Sequence, residues 1–223
     1  MGAGDSDLRP DGVPGVTLWA IVPVKPLRRG KSRLSTVLDL NQRWDLNRRL
    51  LCHTVAVLKE TGRVGVVMVV SRDHEALALA RSLGARTLLE SKPDGLNRAV
   101  LVATLFAQRS RAGATLILPA DLPLLSQAAI ETFLSAAHGE EPVLAIAPDR
   151  HRRGTNALYL APPTLPHFCF GEDSFQAHCE LAAQLGRRRV VIEVPELAFD
   201  LDDAEDWNLL KSLPDEKMTA TRS

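Results

Sequence analysis

Short apolar runs rich in branched residues alternate with longer stretches of helical periodicity along nearly all of this chain. Thr17–Val24, Val64–Val70, Arg86–Leu89, Thr115–Leu118, Val143–Ala147, Asn156–Leu160 and Arg189–Val194 read as strands. Trp44–Glu60 reads as a helix, because Leu51, Val55 and Leu58 recur at i, i+4 and i+7. Further helices are expected over Asp73–Leu83, with Gly84 just past the end, over Leu96–Gln108, and over Gln127–Ala137 behind Ser126 as N-cap. Ser174 is expected to cap Phe175–Leu185, which Gly186 ends, and Asp202 or Asp203 to start a last helix through Leu210. Such alternation restricts the fold to α/β: a mostly parallel sheet covered by helices on both faces. Ligands in such folds sit outside the carboxyl ends of the strands. Four loops should therefore converge: Lys25–Arg33, Ser91–Asn97, Ala120–Leu125 and the segment around Asp200. One domain is expected over residues 17–213. Residues 1–16, rich in Gly, Asp and Pro, read as a disordered leader, and residues 214–223 as a flexible tail.

The first of these loops is the most unusual. The apolar run Ile21–Val24 leads into Lys25, Arg28, Arg29, Lys31 and Arg33, with the Ser32 hydroxyl as a sixth donor. Clustered donors at a strand's carboxyl end suit phosphates, although a solvated basic loop has the same composition. The Gly30-Lys31-Ser32 tripeptide is not a P-loop, because that motif needs a second Gly where Lys25 stands. If phosphates bind, side chains rather than a nest of backbone amides must do more of the holding.

Carboxylates follow other strand ends. Asp121 closes TLILPA, where a lone carboxylate is costly to desolvate unless paired or metal-bound; an N-cap or turn before Pro123 is the alternative. Asp200 and Asp202 are spaced so that both project to one side, and a hard divalent cation would relieve their repulsion. Asp203, Glu205 and Asp206 suit the start of the last helix; that role explains Asp203 well and Asp200 badly. Pro93-Asp94-Gly95-Leu96-Asn97 is a turn into a helix, with Gly95 allowing close approach and the Asn97 amide able to read a base. Gly154-Thr155-Asn156 lies between two strands, and Gly171-Glu172-Asp173-Ser174 offers free amides and a hydroxyl to a small anion or serves as a plain cap.

With 45% apolar residues, the 223-residue chain can build a full core. A net charge of zero argues against bulk nucleic-acid binding but not against a local phosphate site. No apolar run has the length of a membrane span, and the first residues lack a signal peptide's apolar core, so the cytoplasm is the default. Three cysteines without a CxxC pair point to small buried hydrophobes rather than zinc or a disulfide framework. His178, at helical spacing between Phe175 and Ala182, is either a packed histidine or a substrate contact.

The VKPLRRGKSRL loop, GLN at 95–97, DLP at 121–123, GTN at 154–156, FGEDSF at 170–175 and DLDD at 200–203 occur together and in order. With these motifs the chain resembles the 2-phospho-L-lactate / phosphoenolpyruvate guanylyltransferase family of coenzyme F-420 (deazaflavin) biosynthesis, from about Leu18 to Leu210. The resemblance implies a Rossmann-like nucleotidyltransferase fold, in which Lys25, Lys31 and Arg33 meet the triphosphate of GTP, with Lys25 and Asp121 catalytic. It implies Gly95 and Asn97 beside the guanine or ribose, and Asp121, Asp200 and Asp202 holding Mg²⁺ as two ions. It further implies Thr155, Gly171 and Ser174 around a phosphorylated three-carbon acid. Phosphoenolpyruvate is the expected acceptor, with 2-phospho-L-lactate and 3-phosphoglycerate as alternatives, and Arg28 and Arg29 receive no role. A sugar-phosphate or molybdenum-cofactor transferase is disfavoured, because its Gly-rich start would replace Pro23 and Val24. A non-catalytic nucleotide-binding protein is disfavoured by the presence of all three carboxylates. No nucleic-acid or membrane partner is expected, and the resemblance is compatible with a monomer or a homodimer.

Overall fold

The computed structural model describes residues 17–90, 95–139 and 142–214. The proposed leader, Pro93 and Asp94 of the turn, and residues 215–223 of the tail lie outside the described residues. The strands are β1 (Leu18–Pro23), β2 (Val64–Ser71), β3 (Arg86–Leu89), β4 (Ala114–Ile117), β5 (Val143–Pro148), β6 (Thr155–Ala161) and β7 (Arg188–Val191). They form one seven-stranded sheet in the order β3-β2-β1-β4-β6-β5-β7. Pairing is parallel except for β6, which runs antiparallel between β4 and β5. The helices are α1 (Leu40–Glu60), α2 (His74–Ser82), α3 (Leu96–Arg109), α4 (Gln127–Ala137), α5 (Ser174–Gln184), α6 (Pro195–Ala198) and α7 (Ala204–Ser212). No helix among the described residues is long and apolar enough to cross a membrane.

Both faces of the sheet are buried, as the near-continuous apolar strands require. In β1, Ala20 and Val22 pack with α1, α2 and α4 through Leu51, Val55, Leu77 and Phe133. Trp19 and Ile21 point the other way and pack with α3 through Val100 and Ala103. A third, smaller cluster joins Leu34, Leu46 and Leu50 to Phe199, Leu201 and Leu210. It fastens the cationic loop to the segment that carries Asp200 and Asp202.

Several boundaries differ from expectation, each for a local reason. Helix α1 begins one turn early, because Asp39 accepts from Asn41 and Gln42 N–H while the Gln42 side chain accepts from Asp39 N–H, a full capping box. Ser126 caps α4 as expected, its Oγ accepting from Ala129 N–H at 3.1 Å. Ser174 does not cap α5; it is the first helical residue, and Asp173, in the left-handed region at φ 54°, is the N-cap. Strand β7 stops at Val191, and Pro195 nucleates the short α6 that sequence reasoning missed. Asp203 starts α7 through a capping box with Asp206.

Candidate active site

The crossovers from β1 lead through α1 and α2 to β2 and β3 on one side, while α3 carries the chain back across to β4 on the other. The carboxyl ends of β1 and β4 therefore flank a topological switch point, the usual ligand crevice of an open α/β sheet. A cavity of about 430 Å³ opens there, lined among others by Lys25, Lys31, Gly95, Asp121 and Asp202. Its size lies within the range of small-molecule sites. All four loops named above contribute to it or lie beside it.

The cationic loop is tied down. Leu27 N–H donates to Asp73 Oδ2 at 2.7 Å, and Asn47 Nδ2 donates to the Leu27 carbonyl at 2.7 Å. Arg29 and Gly30 N–H both donate to the Pro26 carbonyl. A Cβ on Gly30 would lie 2.7 Å from Asn47 Nδ2, so this glycine serves close packing against α1 rather than a phosphate nest.

Lys31 sits in the left-handed region at φ 58°, ahead of a 3-10 helix over Ser32–Thr36. That turn sends its side chain inward, where it is only 7% exposed, and its Nζ donates to Asp121 Oδ2 at 2.9 Å and to Asp202 Oδ1 at 3.2 Å. Burial alone would lower the Lys31 pKa, but the charges of Asp121 and Asp202 outweigh it and hold the ammonium above its ordinary value. Asp121 and the 200–202 segment are stitched by Leu201 N–H donating to the Asp121 carbonyl at 3.0 Å. Leu201 is buried; Asp202 lines the cavity and Asp200, partly buried, faces Asn156 rather than Lys31. Asn156 Nδ2 reaches Asp200 Oδ1 at 3.5 Å, and buried Asp206 accepts from Asp202 and Asp203 N–H while paired with Arg150. The Asp200 carboxyl is pushed up to about 6, first by burial and then by the Asp121 and Asp202 charges.

Among the described residues, no three Asp, Glu, His or Cys side chains are gathered at metal-binding spacing. Lys31 fills the gap between Asp121 and Asp202 instead. The donor set nevertheless suits a hard divalent cation. Asp121 and Asp202 share one ammonium, Asp121 Oδ1 is buried without a hydrogen-bond partner, and burial and its two acidic neighbours make Asp200 resist ionisation.

Beside the cavity, Thr155, Ser174 and His178 form a buried group. Thr155 Oγ1 lies 3.1 Å from His178 Nδ1, and Cys169 N–H donates to His178 Nε2 at 3.1 Å. Ser174 N–H donates to the Gly171 carbonyl, closing the turn that Gly171 enters at φ 136°. His178 is thus a fully buried packing and hydrogen-bonding residue, and burial lowers its pKa to about 4. Asn97 departs from expectation. Its carboxamide is spent on the main chain of Phe170, Nδ2 donating to the carbonyl at 2.9 Å and Oδ1 accepting from N–H at 2.7 Å.

The remaining cations of the loop separate. Arg33 is exposed on the 3-10 helix and does not line the cavity, because Leu34 beside it takes the inward position in the third apolar cluster. Arg28 lies over the Trp44 ring at 5.1 Å, as does Arg48 at 4.9 Å, and Arg29 is exposed. Sequence reasoning missed two charged residues that do line the cavity, Arg72 and Glu90, whose side chains have no hydrogen-bond or ion-pair partner among the described residues. Each directly follows a strand, β2 and β3, so the carboxyl-end rule would have found both.

A family profile described as guanylyl transferase, CofC-like, matches residues 18–215. The chain belongs to the CofC-like guanylyl transferase family. Among relatives within it, the phosphoenolpyruvate guanylyltransferase of Rubrobacter xylanophilus is 44% identical over 197 residues, covering 88% of this chain and 95% of that protein. That of Chloroflexus aggregans is 37% identical over 188 residues, covering 82% and 92%. Among solved structures, a nucleotidyl transferase from Methanothermobacter thermautotrophicus superposes with a TM-score of 0.61 at 15% identity, covering 88% of this chain and 96% of that one. The CofC-like chain thus shares the Rossmann-like nucleotidyltransferase fold.

Proposed function

We propose that this chain transfers GMP from GTP to phosphoenolpyruvate, releasing pyrophosphate and forming enolpyruvoyl-2-diphospho-5'-guanosine, a step of coenzyme F-420 biosynthesis. The observation that carries the reading is the meeting, at one switch-point cavity, of Lys25 and Lys31 with Asp121 and Asp202. The names of the relatives support the acceptor and the nucleotide.

A phosphate oxygen of the acceptor attacks the α-phosphorus of GTP; the bond from that phosphorus to the β-phosphate bridging oxygen breaks, and pyrophosphate leaves with the electron pair. The attacking oxygen is already anionic near neutral pH, so no residue has to remove a proton. Rate then rests on positioning and on cancelling charge. Lys25, exposed at the cavity mouth, meets the triphosphate, and Lys31 turns from the aspartates towards it. Asp121, Asp200 and Asp202 would hold Mg²⁺, which would supply positive charge to the phosphate oxygens. Asn156 keeps the Asp200 carboxylate aimed at this position. Among the residues lining the cavity, Glu90 presents acceptors to the N1–H and N2–H edge of guanine, and Arg72 presents donors to its O6 and N7. Gly95, in its open conformation at φ 86°, lets the backbone approach the nucleoside. Thr155, Gly171 and Ser174 receive the acceptor.

Pyrophosphate release, measured with GTP, Mg²⁺ and each of phosphoenolpyruvate, 2-phospho-L-lactate and 3-phosphoglycerate side by side, tests the reading. Phosphoenolpyruvate should give the fastest release. Release with none of the three would refute the reaction, and a clear preference for another acid would replace the acceptor.

A further inference from the structure

We propose that Asn97 is a positioning residue: it clamps the loop bearing the acceptor site to the start of α3, with His178 as a second hold on that loop. The inference rests on the proposed placement of the phosphorylated acid at Thr155, Gly171 and Ser174.

The ends of this loop are held by Arg187, which donates to the Pro162 and Thr164 carbonyls, and by Arg153, which pairs with Glu172 and Asp173, while Leu165 and Phe168 are buried in the core. Between the end of β6 at Ala161 and the start of α5 at Ser174 the chain forms neither strand nor helix, so no ladder of backbone hydrogen bonds holds it. The main chain of Cys169 and Phe170, just before Gly171, is held by two further side chains, Asn97 from the start of α3 and His178 from α5. Asn97 satisfies both main-chain groups of Phe170, donating at 2.9 Å and accepting at 2.7 Å. One carboxamide matched to both polar groups of a single residue fixes orientation as well as position. Among side chains of this length only Asn carries the necessary donor and acceptor side by side. His178 takes the preceding amide. Its Nε2 accepts from Cys169 N–H, so the proton of this neutral imidazole is on Nδ1, where the Ser174 main chain and Thr155 Oγ1, 3.1 Å away, are both within reach. The edge of the His178 ring also meets the Phe170 ring, with centroids 4.9 Å apart.

The clamp spans two parts of the site. Gly95 and Leu96 line the nucleotide cavity, while Asn97, next in sequence, grips Phe170, which immediately precedes Gly171. The first turn of α3 therefore sets the distance between nucleotide and acceptor. In-line transfer depends on that distance, and small misplacements are costly. The same geometry argues against Asn97 as a reader of the base, since the paired donor and acceptor edge that a base would need faces Phe170 and only one N–H and one lone pair are left.

The test uses the full chain carrying Asn97→Ala or Asn97→Asp and two independent measurements. The first is hydrogen exchange of the Phe170 amide without any ligand. In Asn97→Ala it should exchange about 10-fold faster or more, the effect of losing hydrogen bonds worth roughly 1 kcal/mol each. In Asn97→Asp, which still accepts from that N–H, protection should be largely kept. Amides of the sheet should be unaffected in both variants. The second is steady-state kinetics together with GTP binding by calorimetry. The acceptor KM should rise about 10-fold in Asn97→Ala, with the affinity for GTP unchanged. Unaltered Phe170 protection in Asn97→Ala would overturn the clamp. Weakened GTP binding with an unaltered acceptor KM would overturn it too, and would return Asn97 to the base. Wild-type protein that releases pyrophosphate with no acceptor would defeat the proposed reaction instead, and hydrogen exchange would still decide the clamp.

Discussion

Replacing Asp200 by Asn should stabilise the metal-free chain at neutral pH. The carboxyl of Asp200 titrates at about 6 in the folded chain against an ordinary value of 3.8, because burial and the Asp121 and Asp202 charges oppose its ionisation. Between those two pH values the folded state keeps a proton that the unfolded state has released. Stability therefore falls as pH rises through this window and levels off above it. A displacement of roughly two pH units corresponds to about 3 kcal/mol. Asn mimics the protonated acid at every pH and removes this cost. In urea titrations with EDTA, Asp200→Asn should unfold at higher denaturant than wild type at pH 7.5. The gap should shrink towards zero near pH 4, at an unchanged slope. Excess Mg²⁺ should narrow or reverse it, since only the wild type offers the full set of carboxylates. A variant no more stable than wild type at pH 7.5 in EDTA, or a gap that widens as pH falls, would refute this reasoning.

Asp121→Asn should lower turnover by about 10²-fold or more, the usual effect of losing one electrostatic stabiliser; near-normal pyrophosphate release with GTP and Mg²⁺ would remove Asp121 from the mechanism. Lys31→Met leaves Asp121 and Asp202 without their shared cation and should destabilise the metal-free chain by about 2 kcal/mol, less than a fully buried pair because both aspartates are partly exposed. That loss should shrink when Mg²⁺ is added, and thermal melts showing the same loss with and without the ion would count against a cation site there. Glu90→Gln should cut the preference for GTP over ATP by about 10-fold, the lower end of what a bidentate base contact provides; competition assays showing unchanged discrimination would place the base elsewhere.

How far the sequence could be read depended on whether a residue's partner was near it. The alternation in β1, with Trp19 and Ile21 on one face and Ala20 and Val22 on the other, is a local signal, and it points to a sheet covered on both faces. Asp121, Asp200 and Asp202 stood out because solitary charges after apolar runs are costly. The antiparallel β6 left a signal that was not used: no helix separates it from β5, so the two strands form a hairpin rather than a crossover. The contact of Asn97 with Phe170 is not legible in the sequence, because Phe170 lies 73 residues away and is met through the main chain, which carries no side-chain signature. Arg33 was overcounted for the opposite reason. Charge along a loop shows how many cations there are, but the 3-10 turn after Lys31 decides which of them face the cavity.

The small apolar cluster of Leu34, Leu46, Leu50, Phe199, Leu201 and Leu210 has a consequence for synthesis. As the chain is made from its N-terminus, Lys31 and Asp121 emerge early, and a nascent chain that stops before Phe199 already carries all seven strands. It would still lack two of the three carboxylates and the packing that seats them beside Lys31. The reaction centre is therefore assembled after the sheet, when the last segment closes over α1, and a partly made chain has no complete site with which to capture metal or nucleotide.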